Sequence, residues 1–509
     1  MSAEPDDRER IDAVPATFGA PVPFGLPPSA VPRPPGVVAL QGSAPAKPVS
    51  IPRWVLLTLA LLAQVGLALA TNAAPWLGVL QAGTILLLGV YATMRQNLVL
   101  LTCLCGYLTG AEVLWRQVQA PMFYLVAPYL MIVLSCLVIA VVLGRLGRDA
   151  RLAAFYVLLL LPSIVNTVRT AGEGSRELVA FALAGPLALA AFVAFTSQVV
   201  ATPVAYRRIL WVTLVSAVGP LTIAVTDIRS VLAEMGAVQF TGQSNFITSG
   251  GFGPVQVSAV MGLGVLVAVV LTLIEPARSV KILTVVVGVA FGVQSLLTFS
   301  RGGMSAVAIA VSALAIARAR DPRIRNRIIA LVAIALAIGY FFIVPWLTDF
   351  TDGEFEERFS DTTSGRTDLA INDMRIFAES PVFGVGPGMT KYQRLTYSIC
   401  ELRSDGCANE ASSHTEFTRM LSEHGIPGLV AVGALALLAV RGVRDAAKER
   451  PFAAAFIAWA VAQMFYANLR VVAVPFAFGL AFLTVRSPRA PDDPEDDGAR
   501  DERVAPSAL

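Results

Sequence analysis

Charge is what this chain has least of. Only 15% of its 509 residues are Asp, Glu, Lys or Arg, against 55% hydrophobic, and the mean hydropathy is +0.67. That balance excludes an ordinary soluble globule. The net charge is +3, and its positive residues come in short clusters between apolar runs, not on the one-sided basic face that a nucleic-acid partner needs. Residues 1–50 hold eleven prolines and scattered charges but lack the charged start, apolar middle and small-residue cleavage site of a secretory signal. They read as a tail that cannot bury enough surface to fold, followed by a first span retained as an uncleaved anchor. Internal repeats and paired broken helices, the marks of many transporters, are not found. Histidine occurs only at His414 and His424, and cysteine five times.

What the chain has is apolar runs long enough to cross a bilayer, which takes roughly 20 residues. Fourteen candidates lie near 53–70, 74–91, 97–115, 122–144, 152–168, 177–197, 209–227, 252–274, 280–299, 303–317, 328–347, 426–440, 452–467 and 470–485. The expected fold is therefore all-α, a polytopic transmembrane helical bundle of about 12–14 spans with one large extracytoplasmic loop containing short helices. Its parts are a disordered cytoplasmic tail (1–51), eleven spans (52–348), the loop (349–425), three spans (426–486) and a second disordered cytoplasmic tail (487–509).

Lys and Arg favour cytoplasmic connections. The even-numbered connections carry seventeen of them and the odd short ones five, namely Arg116, Arg169, Arg176, Arg229 and Arg301. Both termini are then cytoplasmic, and 349–425 lies outside. The five minority arginines are candidates for binding an anion, or else they pair with Glu112, Glu173, Glu177, Asp227 or Glu234. Arg301 stands in TFSRGG directly after an apolar run, where an unpaired guanidinium is costly and is retained for function, or else snorkels to the interface.

Residues 349–361 are acidic without the spacing of a calcium loop. In 362–381, Thr363 and Ser364 can cap a helix whose apolar stripe is Ala370, Ile371, Met374, Phe377 and Ala378, set in lipid or against the bundle and ended by Pro381. The sequence FGVGPG brings Gly384, Gly386 and Gly388 into a turn that is either structural or able to offer backbone N–H groups to an anion. Cys400 and Cys407 close a small ring on an oxidising face and read as a disulfide, whereas Cys103, Cys105 and Cys136 are packing residues in spans. Ser413 and Glu416 form a Ser-x-x-Glu capping box that starts a helix at His414 and stops it at Gly425, before Pro427. The helix dipole would keep His414 neutral and able to accept a proton; the other reading is a polar surface residue. His424 reads as a helix C-terminal interaction.

Together SRGG at a span end, GR opening an external helix, SPVFGVGPGM, and His before LSEHGIPGL resemble the O-antigen ligase and O-antigen polymerase family of bacterial membrane glycosyltransferases, over roughly residues 290–435. The resemblance matches Arg301 and Arg366 to family arginines and His414 to the loop histidine; where relatives usually carry Asn after that histidine, this chain has Thr415. It implies a polyprenyl-diphosphate-linked glycan donor, transfer to a lipid, glycan or protein hydroxyl at the outer face of the bacterial inner membrane, inversion at the anomeric carbon, and no metal or other cofactor. His414 would be the base and Arg301 and Arg366 would bind the diphosphate, with Arg169, Arg176 and Arg229 as helpers. Ligase-type transfer is the leading reading. A polysaccharide polymerase, a protein O-oligosaccharyltransferase and, in another class, a lipid-linked saccharide transporter are the alternatives.

Overall fold

The computed structural model describes residues 51–486 apart from 145, 241–242, 320, 361–365, 395–412, 414, 445–449 and 451. In chain order the helices are α1 (Arg53–Ala73), α2 (Trp76–Met94), α3 (Leu98–Gln117), α4 (Val126–Val138), α5 (Arg148–Leu160), α6 (Ile164–Ala171), α7 (Ser175–Thr196), α8 (Pro203–Met235), α9 (Pro254–Ile274) and α10 (Arg278–Leu297). They continue with α11 (Arg301–Ala317), α12 (Pro322–Ile338), α13 (Val344–Phe350), α14 (Glu354–Ser360), α15 (Arg366–Glu379), α16 (Thr390–Arg394), α17 (Glu416–Arg444), α18 (Ala453–Met464) and α19 (Ala473–Leu480). Short π-helical turns extend α4 and join α12 to α13. The strands are two residues each, Val200–Ala201 paired in parallel with Thr484–Val485.

The all-α membrane bundle is therefore as expected. Among the described residues ten helical stretches are long and apolar enough to cross a bilayer, one of them, Arg148–Thr196, taking in two of the expected segments. Arg301–Ala317 and Ala453–Met464 are shorter apolar helices; the expected segment 152–168 breaks between α5 and α6, and 470–485 holds only the short helix Ala473–Leu480.

The bundle is held by close backbone approach and by a few buried ion pairs. A Cβ on Gly110 of α3 would lie 2.3 Å from the carbonyl carbon of Ser216 in α8; only glycine admits that crossing, the small-residue packing that membrane helices use in place of a hydrophobic drive. Glu275, 1% exposed at the end of α9, accepts from both Nη atoms of Arg53 at 2.8 Å and from Trp211 Nε1 at 2.8 Å. This fork fastens the exposed α1 to α8 and α9. Arg441 near the end of α17 pairs with Asp149 at the start of α5 at 2.6 Å, which joins two connections that the arginine count assigns to one side.

At the opposite end of α17 the segment after α13 folds back on the bundle. A second apolar cluster gathers Leu297, Phe299, Leu347 and Phe355, with Phe240 stacked on Phe299 at 5.0 Å. It fixes the entrance of α11. There the ring of Tyr466 covers Gly302, and its hydroxyl lies 2.9 Å from Ser305 Oγ. One residue earlier Phe465 packs on Phe417 with ring centroids 4.7 Å apart. The starts of α11 and α17 are thereby joined through the end of α18.

Candidate functional site

The site grows out of the way α17 begins and breaks. Its first turn is capped by Thr415, whose hydroxyl accepts from the Thr418 N–H at 3.1 Å; the expected Ser413–Glu416 box is not used, because both side chains have stronger charged partners. Ser413 Oγ accepts from Arg394, and Glu416 accepts from Arg419 Nε at 2.8 Å. The helix thus starts two residues later than the sequence predicts, and His414 precedes the cap. His414 itself lies outside the described residues, as do Cys400 and Cys407.

The break is at Gly425 (φ 66°, ψ −141°), as anticipated from Gly425 and Pro427. Ile426 N–H turns away to the carbonyl of Pro381 at 2.7 Å, and Pro427 has no N–H, so the carbonyls of Ser422 and Glu423 lose their helical donors. The glycine turn supplies them: Val385 N–H donates to Ser422 O at 3.0 Å and Gly386 N–H to Glu423 O at 2.9 Å. The Gly386 N–H is accordingly committed to α17, a correction to the reading that it faces an anion. On the other side Asn166 and Thr167 of α6 donate to the carbonyls of Gly384 and Pro387 at 2.8 and 3.0 Å.

Gly384 has φ +63°, and a Cβ there would meet the carbonyl carbon of Glu423 at 2.4 Å. Gly384→Ala adds left-handed strain to a collision with backbone that cannot yield, so it should cost about 2 to 4 kcal/mol. Thermal unfolding in detergent checks this against Gly433→Ala, where nothing lies within 4 Å.

Buried charge then staples the segment together. Asp373 of α15 and Arg394 of α16 are both 0% exposed; Asp373 Oδ1 accepts from Arg394 Nε at 2.8 Å and Oδ2 from the Thr418 hydroxyl of α17 at 2.8 Å. On α17 the i, i+3, i+7 spacing puts Glu416, Arg419 and Glu423 on one face, with Arg419 3.7 Å from Glu423 Oε2. Thr390 and Ser422 hydroxyls are 2.9 Å apart. His424 is 3% exposed with Nδ1 2.6 Å from Ser163 Oγ, so it bonds across to the turn after α5 instead of serving its own helix end. A cleft of about 60 Å³ opens among Lys391, Ser413, Arg419, Glu423, Arg470 and Phe181. Arg470 stands over the Phe181 ring, 4.8 Å from its centroid.

Arg301 occupies the first position of α11, half-buried, with a guanidinium Nη donating to the backbone carbonyl of Arg358 and its Nε buried without a hydrogen-bond partner. Arg366 is the first residue of α15. Arg169 and Arg176 are exposed on α6 and α7, each two residues from a side chain that touches the glycine turn, Thr167 and Leu178 respectively. Arg229, exposed near the end of α8, follows Ile228, which packs on the aromatic cluster beside Arg301. Arg116 pairs with Glu112 at 2.5 Å, the pairing alternative raised for it.

Residues 286–433 match the family model for O-antigen ligase. That span runs from the second half of α10 through the loop into α17, and it is close to the 290–435 of the resemblance. No curated protein matches the chain. The match carries a glycosyltransferase-type activity and a lipid-linked glycan donor in a multi-pass membrane setting.

Proposed function

We propose, starting from the O-antigen ligase domain of residues 286–433, that this chain transfers a glycan from a polyprenyl diphosphate carrier to a hydroxyl acceptor at the extracytoplasmic face of a bacterial inner membrane, with both termini cytoplasmic. The observation that carries the reading is that the domain encloses Arg301, Arg366 and His414 while the starts of α11 and α17 are joined through Phe465 and Tyr466. In the reaction His414 takes the proton of the acceptor hydroxyl, and the oxygen attacks the anomeric carbon. The bond from that carbon to the phosphate oxygen breaks, and the polyprenyl diphosphate leaves with the bonding pair. Attack opposite the leaving group inverts the anomeric centre, and no step calls on a metal.

The diphosphate gains charge as it leaves, and guanidinium groups answer that charge with paired hydrogen bonds. Arg301 is the first candidate: its Nε is buried and free of a hydrogen bond, and an unmatched donor of that kind is held at a cost. Arg366 opens α15 within the same domain, and Arg169, Arg176 and Arg229 are exposed on α6, α7 and α8. The acceptor is read as the hydroxyl of a lipid-borne saccharide, as in a ligase.

The test is turnover by the purified full chain in lipid nanodiscs, given a polyprenyl-diphosphate-linked oligosaccharide and three acceptors: a lipid-borne saccharide, a second donor molecule and a serine peptide. Free polyprenyl diphosphate with a new glycosidic product is the expected result. Arg301→Ala should lower turnover about 10²-fold. Growth of the glycan on its carrier identifies a polymerase, and a glycopeptide identifies protein glycosylation. Carrier movement across the bilayer of sealed proteoliposomes without product identifies a transporter and ends the proposal.

A further inference from the structure

A second cavity, of about 220 Å³, lies between the end of α3, the loop into α4 and the entrance to α9. It borders the site already described. Tyr124 on its wall packs against Phe181 at 5.9 Å, and the other neighbour of Phe181 is Arg470, both lining the smaller cleft. Glu112 in its floor, 2% exposed, accepts from the Val472 N–H at 2.7 Å, and so fixes the loop that carries Arg470 two residues earlier.

Its lining has two characters. Trp115, Phe123, Tyr124 and Phe252 give aromatic surface. Against them stand Glu112 and Arg116, whose guanidinium lies 3.8 Å from the Tyr124 ring centroid and donates to Gln256 Oε1 at 2.7 Å. Arg116 Nε is buried with no hydrogen-bond partner. Such a floor disfavours a polyprenyl tail, which would leave a charged pair facing hydrocarbon. The space is smaller than the roughly 300 Å³ and more of a drug-sized site, and equals about seven waters' share of liquid volume. A pyranose ring has an apolar C–H face and a rim of hydroxyls, so aromatic walls with a guanidinium and an amide at the edge suit both of its surfaces.

We propose that this cavity is a monosaccharide subsite, which takes one neutral ring of the transferred glycan or of its acceptor, C–H face on the aromatic wall and hydroxyls toward Arg116 and Gln119. The assignment of the ring to a transfer substrate rests on the function proposed above.

The test has a binding arm that needs no turnover. The full chain in nanodiscs is titrated with methyl glycosides of glucose, galactose and N-acetylglucosamine and read by saturation-transfer NMR. At least one should show transfer to its ring C–H protons. Phe252→Ala and Gln119→Ala should each weaken that binding about 3- to 10-fold, whereas Phe252→Tyr, which keeps the ring, should restore it. In the transfer assay Phe252→Ala should raise one KM by a similar factor with kcat within about twofold, the signature of lost uniform binding. A raised donor KM puts the ring on the donor, and a raised acceptor KM puts it on the acceptor. The proposal falls if no glycoside gives a signal, if the signal survives both substitutions, or if transfer proceeds with neither KM moved. Glycoside binding that follows the substitutions in a protein with no transfer to any acceptor would uphold the subsite and remove the transferase reading instead.

Discussion

Replacing His414 with alanine should lower the turnover of glycan transfer about 10²- to 10⁴-fold, the usual contribution of a positioned general base, and leave donor affinity unchanged. The chain has two histidines, and the other one is spoken for: His424 is 3% exposed behind the break in α17, with its Nδ1 held by Ser163. In the proposed mechanism a base with imidazole chemistry is therefore His414, one residue before the cap at Thr415 in the sequence. The helix begins at Glu416, two residues later than the sequence suggested, and the dipole term falls away beyond the first turn. Proximity to the acceptor hydroxyl then matters more than a tuned proton affinity. Two measurements decide the point: donor binding by the variant in nanodiscs, and recovery of its turnover by added free imidazole. Parental turnover in His414→Ala would remove the base from the mechanism, and a variant that has lost donor affinity would make His414 a binding residue.

The apolar helices were legible because each is set by a local property, about 20 apolar residues between polar breaks, and among the described residues ten helical stretches are long and apolar enough to span; the runs 152–168 and 470–485, whose helices are broken or short, were not. The break at Gly425 was legible for the same reason, two residues whose backbone chemistry ends a helix. The packing of the loop was not. The apolar stripe of residues 362–381 left lipid and bundle open as its partner; Ile371 and Met374 are 47% and 40% exposed while Leu369, Asp373 and Ile376 are buried, so the face against the bundle is a neighbouring one that holds a carboxylate. Periodicity gives the width of an apolar face but cannot weigh a buried aspartate whose partners sit 21 and 45 residues away. Glu416 was read only as half of a capping box, and the Glu416, Arg419, Glu423 spacing carried no further signal, since an intrahelical charge array on a surface helix looks the same as one at a cleft. Arg470 escaped the arginine count because it opens the last apolar run and was taken as part of that span. The aromatic cavity joins side chains from α3, α4 and the entrance to α9, and no single stretch of sequence holds enough of it to see.

The pair Asp373–Arg394 should be the most sensitive point of the loop. Arg394→Met leaves a carboxylate buried without its cation, and Asp373→Leu does the reverse; removal of one partner of a buried pair costs about 3 to 5 kcal/mol. Either variant should therefore unfold at a clearly lower temperature in detergent and lose transfer. The double variant separates the two roles of the pair. Two apolar side chains of similar volume remove the unpaired charge, and such replacements are often neutral or stabilising, so the melting temperature should return most of the way. Transfer should not return. Arg394 also donates to Ser413 Oγ, and that bond fixes the chain next to His414, while Asp373 holds Thr418 at the first turn of α17. A stable double variant with kcat still depressed and donor affinity near parental would mean that the pair sets the position of the base and not merely the fold of the loop. If stability and turnover returned together, the pair would be a packing element alone, and the anchoring of His414 would have to be sought in the Thr415 cap.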